Sequence, residues 1–181
     1  MRSPIDCARG LIGCRLEWKG CAGVIVETEA YESEGDAACH THYRPSARRF
    51  VAEHEAGTAY VYLNYGVHWL FNLLVKGERN GFVLVRALEP VEGLRRMRAR
   101  RKRKNTEALC SGPGKLTQAL GIDGRAHGVD VIAFRHGALA ATEGEPEPVA
   151  CRRIGISKAQ ELCWRYIRSG SRSLSAPPVI T

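Results

Sequence analysis

Apolar and polar positions alternate most regularly over residues 24–31. There Val24, Val26, Thr28 and Ala30 fall on one side, and Ile25, Glu27, Glu29 and Tyr31 on the other. A period of two predicts a strand with an apolar back and a front carrying carboxylates and an aromatic ring. Residues 59–64 and 67–75 are two more strand-like runs, rich in Tyr, Val, Leu, Trp and Phe, and Asn64-Tyr65-Gly66 between them predicts a tight hairpin turn. Residues 82–88 read as a strand that is apolar except for Arg86, and residues 129–134 as another. A short helix is expected over 7–16 with Ala8, Leu11 and Ile12 inward, one over 116–120 opened by Ser111-Gly112-Pro113-Gly114, and one over 158–167. Residues 138–148, acidic with Gly and Pro, read as a loop. Strands dominate and do not alternate regularly with helices, which argues against a doubly wound parallel sheet. There is no internal repeat and no linker.

Length and charge narrow this picture. The chain has 181 residues, one domain at ~100–200 residues per domain. The net charge is +8, which favours a polyanionic partner. The charge is concentrated: eight of the ten residues from Arg95 to Lys104 are basic. Leu94 and Met97 dock one seam of the helix expected there, and the rest faces water, either as a solvated face or as a set of phosphate contacts. No run of ~20 apolar residues is long enough for a membrane span, and the first thirteen residues lack a signal-peptide core. Seven cysteines with no C-x-x-C pair argue against a disulfide framework and a cysteine zinc site, and point to a reducing, cytosolic setting.

Four features carry chemistry. Glu27, Glu29 and Tyr31 on one strand face suit a general base beside a flat ligand, or simply a solvated strand side. Asp36-Ala37-Ala38-Cys39-His40-Thr41-His42 gathers metal-ligating residue types, but their spacings match no standard site, and no metal is expected. Tyr65 at a hairpin tip is poorly placed for a core and suits a wedge between base pairs, unless it folds back over the sheet. Arg86 inside an apolar strand requires a partner, as a carboxylate's structural mate or as the positive group of a site. Gly114-Lys115 fails as a phosphate loop, because Leu109 and Leu116 stand where that motif needs Gly and Ser/Thr. The zinc deaminase signature and the Gly-x-Ser-x-Gly elbow are both absent from the sequence. Gly112-Pro113-Gly114 with Lys115 nonetheless suits phosphate binding at a helix start.

At these residues the chain resembles the alkyladenine (3-methyladenine) DNA glycosylase family. The matching stretches run in order: Gly10-Leu11-Ile12-Gly13, residues 25–31 with 36–40, 57–72, 83–90, 111–121, 153–156, and Trp164-Arg165-Tyr166. The resemblance implies a single α+β domain over residues 1–181, with a curved, mainly antiparallel sheet, flanking helices and a protruding hairpin. It implies a monofunctional enzyme of base excision repair that flips alkylated or deaminated purines out of duplex DNA and hydrolyses the N-glycosidic bond, without a cofactor. Glu29 would be the base that activates water. Arg86 and the main-chain carbonyl of Ile154 would help hold that water. Tyr31 and His40 would form one side of a base-stacking pocket and Tyr62 the other. Asn72 would gate against the exocyclic amine of guanine, Tyr65 would fill the gap left in the duplex, and Lys115 would contact DNA. A monomer in a bacterial cytoplasm, associated with the nucleoid, is expected.

The chain departs from the family where a Thr-Pro-Arg-Asn-like loop followed by Met-Phe is usual: it reads Arg44-Pro45-Ser46-Ala47-Arg48-Arg49-Phe50-Val51. Its basic run is also denser than the family's. Two rival readings stand beside the leading one. One is a non-catalytic basic nucleic-acid-binding module, resting on residues 95–104. The other is a helix-hairpin-helix glycosylase, resting on Gly112-Pro113-Gly114 with Asp130 as its carboxylate.

Overall fold

A computed structural model describes residues 3–132, 139–140 and 147–178. Ser3 and Asp6 cap each other reciprocally and Pro4 sets the first turn, so helix α1 runs Pro4–Gly10. It starts and ends earlier than the apolar spacing predicts. Residues 15 and 16, placed on that helix by the sequence, begin strand β1 (Arg15–Trp18). Lys19 and Gly20 both have positive φ and turn β1 back into β2 (Cys21–Glu32), with Trp18 opposite Cys21. After α2 (His40–Tyr43) and α3 (Pro45–Glu53) come β3 (Ala59–Asn64), β4 (His68–Val75) and β5 (Gly81–Glu92). Then follow α4 (Leu94–Arg101), α5 (Pro113–Leu120), β6 (Leu139–Ala140), β7 (Val149–Cys151) and β8 (Arg165–Ile167). Among the described residues, eight strands make one sheet in the order β3-β4-β5-β2-β1-β6, with β8 on β2 and β7 on β8. Every strand pairing is antiparallel. This is the expected α+β architecture.

The period-two pattern sorts the two faces. Val61, Phe71, Leu73, Val75, Val83 and Val85 point into the main core, which Ala8 of α1, Met97 of α4 and Leu116 and Leu120 of α5 complete. Tyr60, Leu74 and Phe82 point to the opposite face and pack on Ala47 and Phe50 of α3. Arg86 and Asn72 share that second face with the residues that line the cleft described below. One face therefore supplies the stability, and the other, only partly covered, supplies the site.

The strict alternation expected for β2 breaks at Ile25. Ile25 sits opposite Leu88 and Glu27 opposite Ala87, so β2 takes an extra residue there; Thr28 then sits opposite Val85, so β5 takes one back at Arg86. These two bulges send Ile25 into the main core instead of leaving it on the face of Glu27. Bulges commonly re-aim side chains beside active sites.

Four other expectations are corrected. Residues 158–167 form no helix; they are turns followed by β8, drawn into the sheet by pairing with Glu27–Glu29. Among the described part of 129–134, only Asp130 bridges to Thr58, and residues 133–134 lie outside the described residues. Within 138–148, β6 pairs with β1, so the segment is not all loop; residues 138 and 141–146 lie outside the described residues. The segment from Arg44 to Val51, taken as a loop, is the start of α3, with Pro45 at its first turn.

Candidate active site

The hairpin of β3 and β4 ends at Tyr65 and Gly66, both at positive φ (49° and 69°), and the amide of Val67 donates to the carbonyl of Asn64 (3.0 Å). Two positive φ values are the signature of the hairpin turn that matches strand twist. Tyr65 is strained there, and its ring is 90% exposed, with Leu63 and Val67 also exposed beside it. It does not fold back over the sheet.

At the base of the hairpin lies a cleft of about 880 Å³. Tyr31, His40, Tyr62, Tyr65, Asn72, Arg86, Lys115 and Ile154 all line it. Glu29 does not; it lies directly behind, fully buried. Its Oε2 accepts from the Tyr31 hydroxyl (2.7 Å) and from Nη1 of Arg86 (3.1 Å), and its Oε1 accepts from the amide of Ile154 (2.7 Å). The Ile154 amide thus holds the carboxylate itself, a contact separate from the one to water that the resemblance gives its carbonyl. Burial, then the Glu29 charge, push the Tyr31 hydroxyl well above its ordinary pKa, so it stays a proton donor to the carboxylate. Burial opposes the charge on Arg86, but Glu29 and Glu27 outweigh it and hold its pKa raised.

A second carboxylate, on the same predicted strand face but given no role by the resemblance, organises this one. Glu27 is fully buried. Its Oε1 accepts from Nε of Arg86 (3.0 Å), Nε of Arg165 (2.7 Å) and Oγ of Ser175 (2.6 Å), and its Oε2 from the amide of Ser175 (2.6 Å). Arg86 bridges the two glutamates and is both a structural mate and a cleft-facing cation. A third buried pair holds the neighbouring segment. Arg153 grips Asp36 with two nitrogens (2.6 and 2.9 Å), donates to the carbonyls of Ala30 and Ala159, and lies 4.7 Å from the Tyr31 ring and 5.2 Å from the Trp164 ring. That clamp presses residues 153–159 against β2 and aims the Ile154 amide at Glu29. The signal for Arg153 and Arg165 was weak: in sequence each is one arginine among many, and only the fold brings them to a carboxylate.

The aromatic wall differs from expectation. His40 and Tyr62 do not stand across a gap: their ring centroids are 4.4 Å apart at 56°. A base sandwiched between two rings needs about 7 Å, twice a ~3.5 Å contact, so this slot is closed and must open to admit one. His40 also hydrogen-bonds the Tyr60 hydroxyl (3.0 Å). Burial and then the nearby Arg44 push the His40 pKa down to about 4, leaving the ring uncharged at neutral pH. Arg44, in the segment that departs from the family, lies 5.7 Å over the rings of both Tyr43 and Tyr62. The amide nitrogen of Asn72 donates to the Tyr60 carbonyl (3.0 Å).

The remaining sequence features resolve as follows. Asp36 is engaged by Arg153 and His40 by Tyr60, and among the described residues no group of three His, Cys, Asp or Glu side chains could hold a metal. No two cysteines form a disulfide. Lys115 lines the cleft and donates to Ser111 Oγ (3.3 Å). Gly114 is required because a Cβ there would stand 2.8 Å from His68, where α5 crosses β4. Asp130 does not line the cleft and accepts from the Ile132 amide, which leaves the helix-hairpin-helix reading without its carboxylate. The basic helix is not entirely solvated. Arg100 donates to the Ala119 carbonyl, and Arg101 to the Leu109 carbonyl and Gln118, tying α4 to α5. Arg101 and Gln118 also line the cleft, so the run ends at its rim.

Known proteins are similar over nearly the whole chain. The family model described as methylpurine-DNA glycosylase (MPG) matches residues 1–172. The chain belongs to this family. Relatives with the provisional name 3-methyladenine DNA glycosylase are bacterial. One from Rhodopseudomonas palustris (strain BisB18) is 46% identical over 180 residues, covering 97% of this chain and 88% of that protein. One from Bradyrhizobium diazoefficiens is 45% identical (97% and 88%), and one from Rubrobacter xylanophilus 44% identical (93% and 90%). This methylpurine-DNA glycosylase family member is a DNA glycosylase with DNA as substrate, so the reading as a non-catalytic binding module falls. Among its described residues, no helix is long and apolar enough to cross a membrane.

Proposed function

We propose that this enzyme extrudes an alkylated or deaminated purine from duplex DNA into the aromatic cleft and hydrolyses its N-glycosidic bond with Glu29 as general base. The observation that carries this reading is the buried carboxylate of Glu29, held directly behind the cleft wall by Tyr31, Arg86 and Ile154. A base inside a duplex is out of reach, so it must be flipped at a cost of a few kcal/mol. Tyr65, exposed at the hairpin tip, offsets that cost by restacking the hole it leaves. Stacking on His40, Tyr31 and Tyr62 retains the flipped purine, at roughly 1–3 kcal/mol per stacked base. With His40 uncharged, a cationic alkylpurine gains attraction to the rings without repulsion from an imidazolium. Asn72, beside Tyr60 on the cleft wall, discriminates against the exocyclic amine of guanine.

In the chemical step a water oxygen bonds to C1′ as the C1′–N bond breaks. The bonding pair leaves with the purine, which departs neutral where alkylation has made it cationic and takes up a proton from solvent where it is hypoxanthine, and the water proton passes to Glu29. The carboxylate also stabilises the positive charge that builds on the sugar, as carboxylates do in glycoside hydrolysis. Because Tyr31, Arg86 and Ile154 cover Glu29 in the free protein, water reaches it only when one of these contacts gives way on DNA binding. No step needs a metal or cofactor. An enzyme working on single lesions of a chromosome acts as a monomer in the bacterial cytoplasm, at the nucleoid.

The test is incubation with duplex oligonucleotides carrying 7-methylguanine, hypoxanthine or ethenoadenine, scored for abasic sites. Release of at least one of these bases, with no adduct trapped by borohydride, is expected. No release from any of the three overturns the reading. In the same assay Tyr65→Ala slows release from duplex by about 10- to 100-fold, the loss of ~1–3 kcal/mol of stacking; an unchanged rate removes the wedge role. The basic run makes a separate prediction. Lys102, Arg103 and Lys104 are exposed just beyond Arg101 at the cleft rim. Replacing all three by Gln lowers the slope of log Kd against log salt by about 2–3, at ~0.9 per phosphate contact. An unaltered slope places these residues outside the DNA interface.

A further inference from the structure

Arg86 holds Glu29 through one nitrogen only, and what fixes the rest of its guanidinium lies at the far end of the chain. Oγ of Ser175 accepts from Nη2 (3.2 Å) and Nε (3.4 Å) of Arg86, while it donates to Oε1 of Glu27 (2.6 Å). The amide of the same residue donates to Oε2 of Glu27 (2.6 Å). Arg165 fastens this segment by donating to the carbonyls of Ala176 (2.6 Å) and Pro177 (3.4 Å). Ser175 is half-buried and lines the cleft. It lies past residue 172, where the match to the family model ends.

We propose that Ser175 is a positioning residue for the reaction: it locks the plane of Arg86, and through Arg86 the orientation of Glu29. This rests on the assignment of Glu29 as the base. The geometry gives the hydroxyl a task that packing alone would not require. It is the acceptor for Nη2 of Arg86 and at the same time a donor to Glu27, so it ties the two into one rigid unit. Without it, Arg86 keeps its contact to Glu27 but can pivot about Nε, and Nη1 leaves the line to Glu29. A loosened cation no longer holds the carboxylate in one orientation.

The experiment compares Ser175→Ala and Ser175→Thr with the parent in single-turnover release from a lesion duplex. Binding of the same duplex and the unfolding temperature are measured alongside. Ser175→Ala is expected to slow release about tenfold, the scale of one lost charge-assisted hydrogen bond, while Kd and the unfolding temperature stay at the parent's. Ser175→Thr, which keeps the hydroxyl, restores the rate. A merely structural serine would move the unfolding temperature and leave the release rate of the folded protein in place. An Ala variant with the parent's rate, or a Thr variant as slow as the Ala variant, overturns the proposal. Glu29→Gln is run in the same series. If that variant retains full activity, the base assignment itself fails; if it is inactive while Ser175→Ala is unchanged, only the role of Ser175 fails.

Discussion

Glu29→Gln is expected to abolish base release, slowing it by ~10³-fold or more, and to leave the affinity for lesion duplex within a few-fold of the parent's. Two losses combine. The amide cannot take the water proton, which alone removes a contribution of about 10²–10⁴-fold. Nor does it bear the negative charge that faces the developing sugar cation in a site shut off from water. Binding survives because Glu29 is buried behind the cleft wall and presents no surface to the duplex. The fold survives because glutamine has the same shape and keeps one carbonyl oxygen for the Ile154 amide or for Arg86. Single-turnover release and equilibrium binding, measured on one preparation, check both halves. Activity at the parent's level would remove Glu29 from the chemistry.

Glu27, two residues away, gives the opposite result. Glu27→Ala is expected to destabilise the fold by about 3–5 kcal/mol, because it strands the buried Arg165 without its carboxylate and leaves Arg86 with Glu29 alone. For a chain of this size that corresponds to a fall of roughly 6–20 °C in unfolding temperature. Arg86 and Arg165 are 8% and 1% exposed, so water does little to replace the lost partner. The Ser175 segment, which both Glu27 and Arg165 hold, loosens with it. Thermal and urea unfolding measure the effect. A variant that melts within about 2 °C of the parent, under ~1 kcal/mol, would show that the buried cluster contributes nothing net. The pair of outcomes separates two glutamates on one strand: one substitution stops the chemistry and spares the fold, the other weakens the fold first.

Much of this was readable from the residues alone. The alternation over 24–31 showed the strand that carries the site, and Asn64-Tyr65-Gly66 showed the hairpin and its exposed ring. A lone arginine in an apolar strand announced its need for a partner. The resemblance gathered nine residues that the fold does bring together, with Glu29 one layer deeper than the others. What the sequence concealed has physical causes. The bulges at Val26 and Arg86 leave no trace in local composition, since they settle a register between strands some sixty residues apart. Residues 158–167 have helical spacing, yet Arg165 is drawn to Glu27, and a buried ion pair outweighs a short helix's few tenths of a kcal/mol per residue. The contact of His40 with Tyr62 depends on how α2 packs, which no pattern within either segment encodes.

The placement of the buried charges also bears on how the protein is made. Glu27 belongs to a strand synthesised early, but its partners Arg165 and Ser175 come 138 and 148 residues later. A nascent chain that has emerged only as far as β5 holds two carboxylates on its central strand with one arginine between them. Burying them at that stage is unfavourable, so the middle of the sheet stays hydrated until the last segment arrives. Closure of the sheet and completion of the active site then become one late event, ordered by contacts of very long range. A product that ends before Arg165 therefore leaves Glu27 with Arg86 as its one partner, and the buried charge at the centre of the sheet uncompensated.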